Sequence, residues 1–436
     1  MILVFDMEKN KKIKFKIYTL GCKVNQYDSA VLISLLINYG LLLSDKNPDF
    51  IVINSCSVTK NAILKARKLI NLLKRNNPRA KIILIGCWPR IYKIDDLKID
   101  MISESKEYED IIEDIKMKWP NFFSKNIKEN IIASCFNPIE DRSRYFIKVQ
   151  DGCRQFCSYC IIPFSRGPLN SRPSKDIVKE IRIAISNGLS EIVLSGIHLG
   201  LYGQDFLKQK KDLFQLLLEI LEIEGLGRIR LSSIEITEIN DKIIELISKN
   251  NKMCRHLHIP LQSGNDKVLH LMNRPYNKKH FSNQVKKIRK KIPDISLTTD
   301  VIVGFPGETK KDFQETFNFC REIGFSKIHV FSFSAHEKTP AFHFPDKVNS
   351  CEIKDRSAKL RQLSQEMEEK YRQEILNKYN KFVVLIENVS DKFVKLKTEF
   401  YFDILVKLSN FKKSYPQFFL SSQNDNIGKI IKYHLK

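Results

Sequence analysis

Within the stretch Asp151-Gly152-Cys153-Arg154-Gln155-Phe156-Cys157-Ser158-Tyr159-Cys160, three thiols fall in eight residues. Thiolates at such spacing are metal ligands or redox groups, so the question is what takes three of them. Structural zinc takes four ligands, commonly as two close pairs, and this motif has no obvious second pair. An iron-sulfur cubane held by three thiolates leaves one iron open to a small molecule, and a loop of this length can wrap one corner of it. Both readings stand on the thiols alone.

A second set of thiols has another kind of regularity. Cys22, Cys56 and Cys87 close the apolar runs "FKIYTLGC", "FIVINSC" and "KIILIGC". Open α/β sheets bind ligands beyond the carboxyl ends of their strands, so cysteines far apart in sequence can converge there. The other four, Cys135, Cys254, Cys320 and Cys351, have no partner at ligand spacing and read as small buried hydrophobes. The start "MILVFDMEKNKKIK" is too short in apolar residues for a secretory segment, and no later run approaches a membrane span. The chain therefore reads as cytoplasmic, where clustered cysteines point to metal or catalysis and not to disulfides.

These residues need a scaffold, and 436 residues suggest more than one domain. Residues 1–140 alternate β-rich runs with helical patterns, which predicts an open parallel α/β domain. After Cys22 a helix is expected, with Asp28 or Ser29 as its cap. Over 141–352 the strands "YFIKVQ", "EIVLSG", "RIRLSS", "HLHIPL", "TTDVIVG" and "KIHVFSF" alternate with helix-length segments, as in a partial (β/α)6 barrel. Such barrels carry their chemistry on the loops at the carboxyl ends of the strands, and the three-thiol loop follows the first. Residues 353–379 form a linking helix with Leu360, Leu363, Met367, Tyr371 and Ile375 as its apolar stripe. Residues 380–436 alternate in strand fashion, with ten lysines against five acids and Gly428 as the one glycine, which reads as a small basic C-terminal β-barrel. The net charge of +23 suits a polyanionic partner such as nucleic acid.

Followed by "IIPFSRG", the loop resembles that of the radical S-adenosylmethionine (SAM) superfamily, with Cys153, Cys157 and Cys160 as cluster ligands. The resemblance implies that SAM chelates the open iron of a 4Fe-4S cluster and is cleaved to a 5′-deoxyadenosyl radical by one electron, delivered by a donor protein. It also implies SAM contacts: Tyr159 and Gly304, with Gly307, around adenine; Ser195 and Gly196 at the amino group; Ser233, Glu235 and Gln262 at the ribose or methionyl portion. "TLGCKVNQYDS", "NSCSVT" and "IGC" narrow the match to the methylthiotransferases along almost the whole chain. In that family Cys22, Cys56 and Cys87 would bind a second 4Fe-4S cluster, and residues 380–436 would be a TRAM-like RNA-binding domain. "GCKVNQYDS", "CSVT" and "CIIPFSRGP" look like the branch acting on threonylcarbamoyladenosine beside the tRNA anticodon. The alternatives are a methylthiotransferase for isopentenyladenosine tRNA or a ribosomal protein, or a non-catalytic zinc RNA-binding protein. Arg166, His198 and His336 are candidates for the polar groups that a threonylcarbamoyl substrate would need.

Overall fold

The computed structural model describes residues 12–123, 143–207, 211–416 and 426–435; Cys135 and the expected 140/141 boundary lie outside them. The chain divides into two compact units, Met1–Asn137 with Phe164–Arg166, and Pro138–Pro163 with Gly167–Lys436. Among the described residues no helix is long and apolar enough to cross a membrane.

The first unit contains β1 (Lys14–Thr19), α1 (Lys23–Asn38), β2 (Leu42–Leu43), β3 (Phe50–Ser55), α2 (Lys60–Asn76), β4 (Lys81–Gly86), β5 (Met101–Ile102) and α3 (Tyr108–Lys118). The strands form a parallel sheet in the order β2-β1-β3-β4-β5. Every residue of β3, FIVINS, is buried, as a parallel strand covered on both faces requires. Ala66, Ile70 and Leu73 of α2 pack on Ile51, Ile53, Ile82 and Leu84 of β3 and β4. The start of α1 differs from the expectation. The helix begins at Lys23 with Cys22 at its N-cap, not at Asp28 or Ser29. Those side chains serve tertiary bonds instead: Ser29 Oγ accepts from Thr19 Oγ1 at 2.7 Å and Asn54 Nδ2 at 3.0 Å, and Asp28 accepts from Tyr108 Oη at 2.8 Å.

The second unit opens with β6 (Tyr145–Asp151), the single turn α4 (Ile162–Arg166), whose last three residues group with the first unit, and β7 (Asn170–Ser171). It continues through α5 (Ser174–Ser186), β8 (Glu191–Gly196), α6 (Leu213–Leu221), β9 (Arg228–Leu231), α7 (Asp241–Lys249), β10 (His256–His258), α8 (Asp266–Leu271) and α9 (Lys278–Lys291). Then come β11 (Ser296–Val303), α10 (Lys310–Ile323), β12 (Lys327–Ser332) and the long α11 (Ser350–Lys378). The parallel ladders β6-β8-β9 and β10-β11-β12 are joined by the parallel bridges Ile229↔Met253 and Ser233↔His258. All six expected strands are present in chain order, joined by five helix-bearing crossovers, and β12 leads into α11. On α11, Leu360, Leu363 and Ile375 are buried and Met367 and Tyr371 half-buried, so the 3.6-residue stripe is the packed face.

The chain ends in β13 (Lys381–Val389), β14 (Phe393–Thr398), β15 (Asp403–Lys407), α12 (Leu408–Ser414) and β16 (Ile430–His434), an antiparallel sheet in the order β15-β14-β13-β16. Its own core holds Phe382, Val384, Ile386, Val394, Leu396 and Phe400. A buried ion cluster ties this sheet to the amino ends of the barrel strands. Glu191, first in β8, accepts from Arg228 Nε at 2.5 Å and Arg230 Nε at 3.0 Å on β9. The outer nitrogens of the same arginines donate to the carbonyls of Val383 (2.7 Å), Lys397 (2.9 Å) and Thr398 (3.2 Å). Tyr401, held at φ +75°, stacks on His256 at 4.3 Å and lies 4.9 Å from the Arg230 guanidinium.

Burial alone would push Glu191 up, but Arg228, Arg230 and Arg144 outweigh it and bring the group down to about 2 from 4.5. Its contribution is therefore complete above its unfolded value and is lost as pH falls through about 2. Removing one member of a buried pair leaves charge without compensation, so Glu191→Ala is expected to lower unfolding stability by about 3–5 kcal/mol. Chemical denaturation measures this, and a loss below about 1 kcal/mol, the scale of an exposed pair, would contradict the assignment.

Candidate metal centres

In the first unit the three cysteines follow three neighbouring strands. Cys56 and Cys87 come directly after β3 and β4, and Cys22 stands three residues beyond β1. Parallel pairing puts the three carboxyl ends side by side, Asn54 opposite Thr19 and Ile85, and Ser55 opposite Gly86. Backbone spacing there is close: a Cβ on Gly86, at φ +98°, would sit 2.5 Å from Asn54 Oδ1 and Ser55 O. Asn25, the first buried polar residue of α1, ties the ends together. Its Oδ1 accepts from Cys22 Sγ at 3.1 Å, and its Nδ2 donates to Asn54 Oδ1 at 3.0 Å and Ser55 O at 3.3 Å.

Arg166 belongs to this unit as well. Its guanidinium donates to Asp28 at 2.9 Å and Asn25 Oδ1 at 3.1 Å, and it is 5% exposed. Arg166, a candidate for the polar groups that a substrate would need, bonds residues that surround the first thiol trio. Burial pushes the Cys56 thiol up to about 12, Cys87 and Cys22 add to the rise, and the Val58 N–H and Arg166 oppose it. Such thiols hold their protons near neutrality. A bound metal must displace them, which couples metal binding to proton release.

The second trio lies on the loop after β6. Gly152 starts it at φ +70°, where a Cβ would meet Pro168 O at 1.7 Å. Phe156, between the first two thiols, is also left-handed at φ +47°. Burial pushes Cys160 up to about 12, with Cys157 and Cys153 adding to the rise, so the three thiols share one electrostatic environment. Cys153 Sγ lies 3.2 Å from His198 Nδ1, and Cys157 Sγ accepts from Arg274 Nη1 at 3.2 Å. All six cysteines are free thiols.

The donor set at each trio suits a cluster held by three thiolates. Among the described residues no three His, Cys, Asp or Glu side chains group closely enough to hold a single metal ion. The irons of a cubane stand at separate corners, so its ligands spread wider than those of zinc.

The other candidates all fall at carboxyl ends of barrel strands, but their surroundings differ. Ser195 and Gly196 end β8, with Ser195 buried. Ser233, exposed, follows β9 and bridges to His258. Glu235 is paired with Arg274. Gln262 follows β10 at φ +65° and bridges Val301 of β11. Gly304 follows β11, and its N–H donates to the Glu308 carboxylate at 3.2 Å. Gly307, at φ +83°, donates to Asp346 O at 3.0 Å. Tyr159 packs on the apolar cluster of Val268, Met272, Phe305 and Ala341, edge-on to Phe305 at 6.5 Å. Of the polar substrate candidates, His336 is 1% exposed and His198 faces Cys153. Arg274, Glu238, Asn25 and Gln150 were not singled out in the sequence; "MNRPYN" and "CKVNQ" contain two of them, with nothing local to mark them as site residues.

Residues 147–320 match the Radical SAM superfamily, and residues 14–106 match Uncharacterized protein family UPF0004. Among curated proteins the chain is similar to threonylcarbamoyladenosine tRNA methylthiotransferase MtaB of Thermotoga maritima, 37% identical over 379 residues, or 84% of this chain and 85% of that one. MtaB of Bacillus subtilis is 34% identical over 431 residues, covering 95% and 92%. The tRNA-2-methylthio-N(6)-dimethylallyladenosine synthase of Clostridium tetani is 33% identical over 447 residues, covering 97% and 94%. The radical SAM methyltransferase TsrM of Kitasatospora setae shares the fold, with a TM-score of 0.57 at 13% identity over 76% of this chain and 75% of that one. Matched at over 30% identity across nearly its whole length, the chain belongs to the radical SAM methylthiotransferase family.

Proposed function

We propose that this protein converts N6-threonylcarbamoyladenosine beside the tRNA anticodon, at adenosine 37, to its 2-methylthio derivative in the cytoplasm. The observation that carries the reading is the pair of thiol trios, one following three parallel strands of the first unit and the other on the single loop after β6 of the second. The similarity to MtaB proteins of several organisms supports the choice of nucleoside. The +23 charge supports a tRNA partner.

Cys153, Cys157 and Cys160 would hold one 4Fe-4S cluster and Cys22, Cys56 and Cys87 a second. Bound at the barrel loop, a cluster with one open iron supplies the electron for cleavage of SAM, itself drawn from a donor protein. The chain's part is placement. The loop after β6 fixes the three ligands; the ends of β8, β9, β10 and β11 offer Ser195, Gly196, Ser233, Gln262 and Gly304 as the surface on which SAM would lie. The first unit carries its own three thiols, which would give the sulfur to be inserted a site of its own. A threonylcarbamoyl group brings a carboxylate and a hydroxyl, and a site built to hydrogen-bond them leaves its polar groups unpaired against a hydrocarbon substituent.

Three experiments test the proposal. Anaerobically reconstituted protein should hold about eight irons per chain. Replacing Cys153, Cys157 or Cys160 by Ala should abolish SAM cleavage. Replacing Cys22, Cys56 and Cys87 together should leave deoxyadenosine formation measurable while methylthiolated product disappears. Normal product formation by the folded triple variant would exclude the second cluster. In competition between matched anticodon stem-loops, mass spectrometry should find threonylcarbamoyladenosine modified at C2 and dimethylallyladenosine nearly untouched. The reverse preference would move the protein to the other tRNA branch of the family.

A further inference from the structure

Two of the three thiols in the barrel loop meet nitrogen-bearing side chains drawn from distant parts of the chain. His198 follows β8, with its Nδ1 3.2 Å from Cys153 Sγ; Arg274 follows α8, with its Nη1 3.2 Å from Cys157 Sγ. Both are buried, the His198 side chain 6% exposed and that of Arg274 3%. Cys160 instead meets the backbone N–H of Ile162.

Each donor is gripped on its far side. Glu238 bonds His198 Nε2, and Glu235 bonds Arg274 Nη2. These carboxylates stand three residues apart on the turn that follows β9, so one short segment anchors both donors. Further bonds fix the pair. The His198 N–H donates to Gln150 Oε1 at 2.8 Å, and Arg274 donates to Tyr276 Oη at 3.1 Å, which itself donates to Pro260 O at 2.8 Å. Such rigidity is unneeded for a side chain that only fills space.

We infer that His198 and Arg274 are positioning residues for the cluster of the barrel loop: they donate to two of its three ligand sulfurs and raise its reduction potential, while Glu235 and Glu238 hold them in place. The inference rests on the cluster-binding reading of that loop. Reduction adds a negative charge to the cluster. Hydrogen bonds to ligand sulfur and a nearby cation favour the reduced form, and burial keeps water from screening them. Arg274 supplies both effects, because a guanidinium stays charged. His198 offers Nδ1–H to the Cys153 sulfur only as the doubly protonated ring, because Nε2 faces the Glu238 carboxylate, so Arg274 is the donor whose charge and direction are fixed. The assignment also gives Glu235 a task other than touching SAM.

The test uses full-length reconstituted protein, with the barrel cluster identified as the EPR signal that changes when SAM is added. Iron content, reduction potential and SAM affinity are measured for Arg274→Gln, His198→Leu and Glu235→Gln. The first two should keep their iron and show a lower potential, and Arg274→Lys should recover part of the shift. Glu235→Gln should bind SAM within about twofold of the parent, well short of the tenfold loss that corresponds to about 1.4 kcal/mol. Unchanged potentials in both donor variants at full iron content would overturn the inference. Loss of iron from either would do so too, since that residue would then hold the loop together and not adjust the cluster. Tenfold weaker SAM binding by Glu235→Gln would return Glu235 to the cofactor surface and overturn its assignment as an anchor. A parent protein that takes up no iron would instead fail the reading of the loop itself.

Discussion

Gathering thiols raises the cost of ionising each of them, and much of the site architecture answers that cost. Every buried cysteine in the two trios with a resolved shift is pushed upward, with neighbouring thiols among the causes. The opposing influences are specific: the Val58 N–H and Arg166 for Cys56 in the first trio, Arg274 for Cys157 in the second. Each arginine is balanced by a carboxylate, Asp28 or Glu235, so neither is a lone buried charge. Both trios thus have the same composition in outline: three thiols beyond a strand end, drawn from three strands in one case and from one loop in the other, with one guanidinium and one acid that orients it.

Parallel strands make this arrangement available. They deliver their carboxyl ends to one side, where loops are free to carry chemistry, and leave the amino ends for structural work. The second unit uses both. On the carboxyl side stand the three thiols and the polar strand-end residues. On the amino side Glu191, Arg228 and Arg230 are 0–2% exposed, and the two arginines, held by Glu191, bind the backbone of the terminal sheet. The same residue types do opposite jobs at the two ends. An arginine-carboxylate pair touching a thiol supports ligand chemistry, while one touching strand carbonyls fastens two sheets.

What was legible in the sequence follows from how local each signal is. The six thiols were readable because three share one loop and three sit where apolar runs stop. The six barrel strands were readable from apolar runs, and the stripe of α11 from its period. Arg274 was not, because its partner Cys157 lies 117 residues away and no spacing announces the pair. His198 was noticed as a polar group, but its neighbour was not. A histidine at a strand end gives no hint that Cys153, 45 residues earlier, will take its Nδ1. The misplaced cap of α1 has a related cause. Asp28 and Ser29 have good capping side chains, yet Tyr108, Thr19 and Asn54 compete for them from elsewhere in the fold, and tertiary bonds prevailed over local propensity.

Charge is the feature for which sequence and structure speak at different levels. The terminal segment has ten lysines against five acids, which suggests a cationic face. In the fold, Lys395 pairs with Glu387 at 2.7 Å and Asp403 at 3.1 Å, and Lys397 also pairs with Asp403. Two central lysines of the sheet are therefore largely neutralised before any phosphate arrives. Tyr401 and the arginines beneath it occupy a further part of the sheet in docking to the barrel. A count of lysines fixes the long-range attraction for a polyanion, because every charge contributes to the field. It does not locate the grip, because a lysine already sharing its ammonium with two carboxylates must break those bonds to bind phosphate. The long-range attraction for a polyanion is thus a property of the net charge of the whole molecule, and fewer lysines of the terminal sheet are free to grip phosphate than its composition suggests.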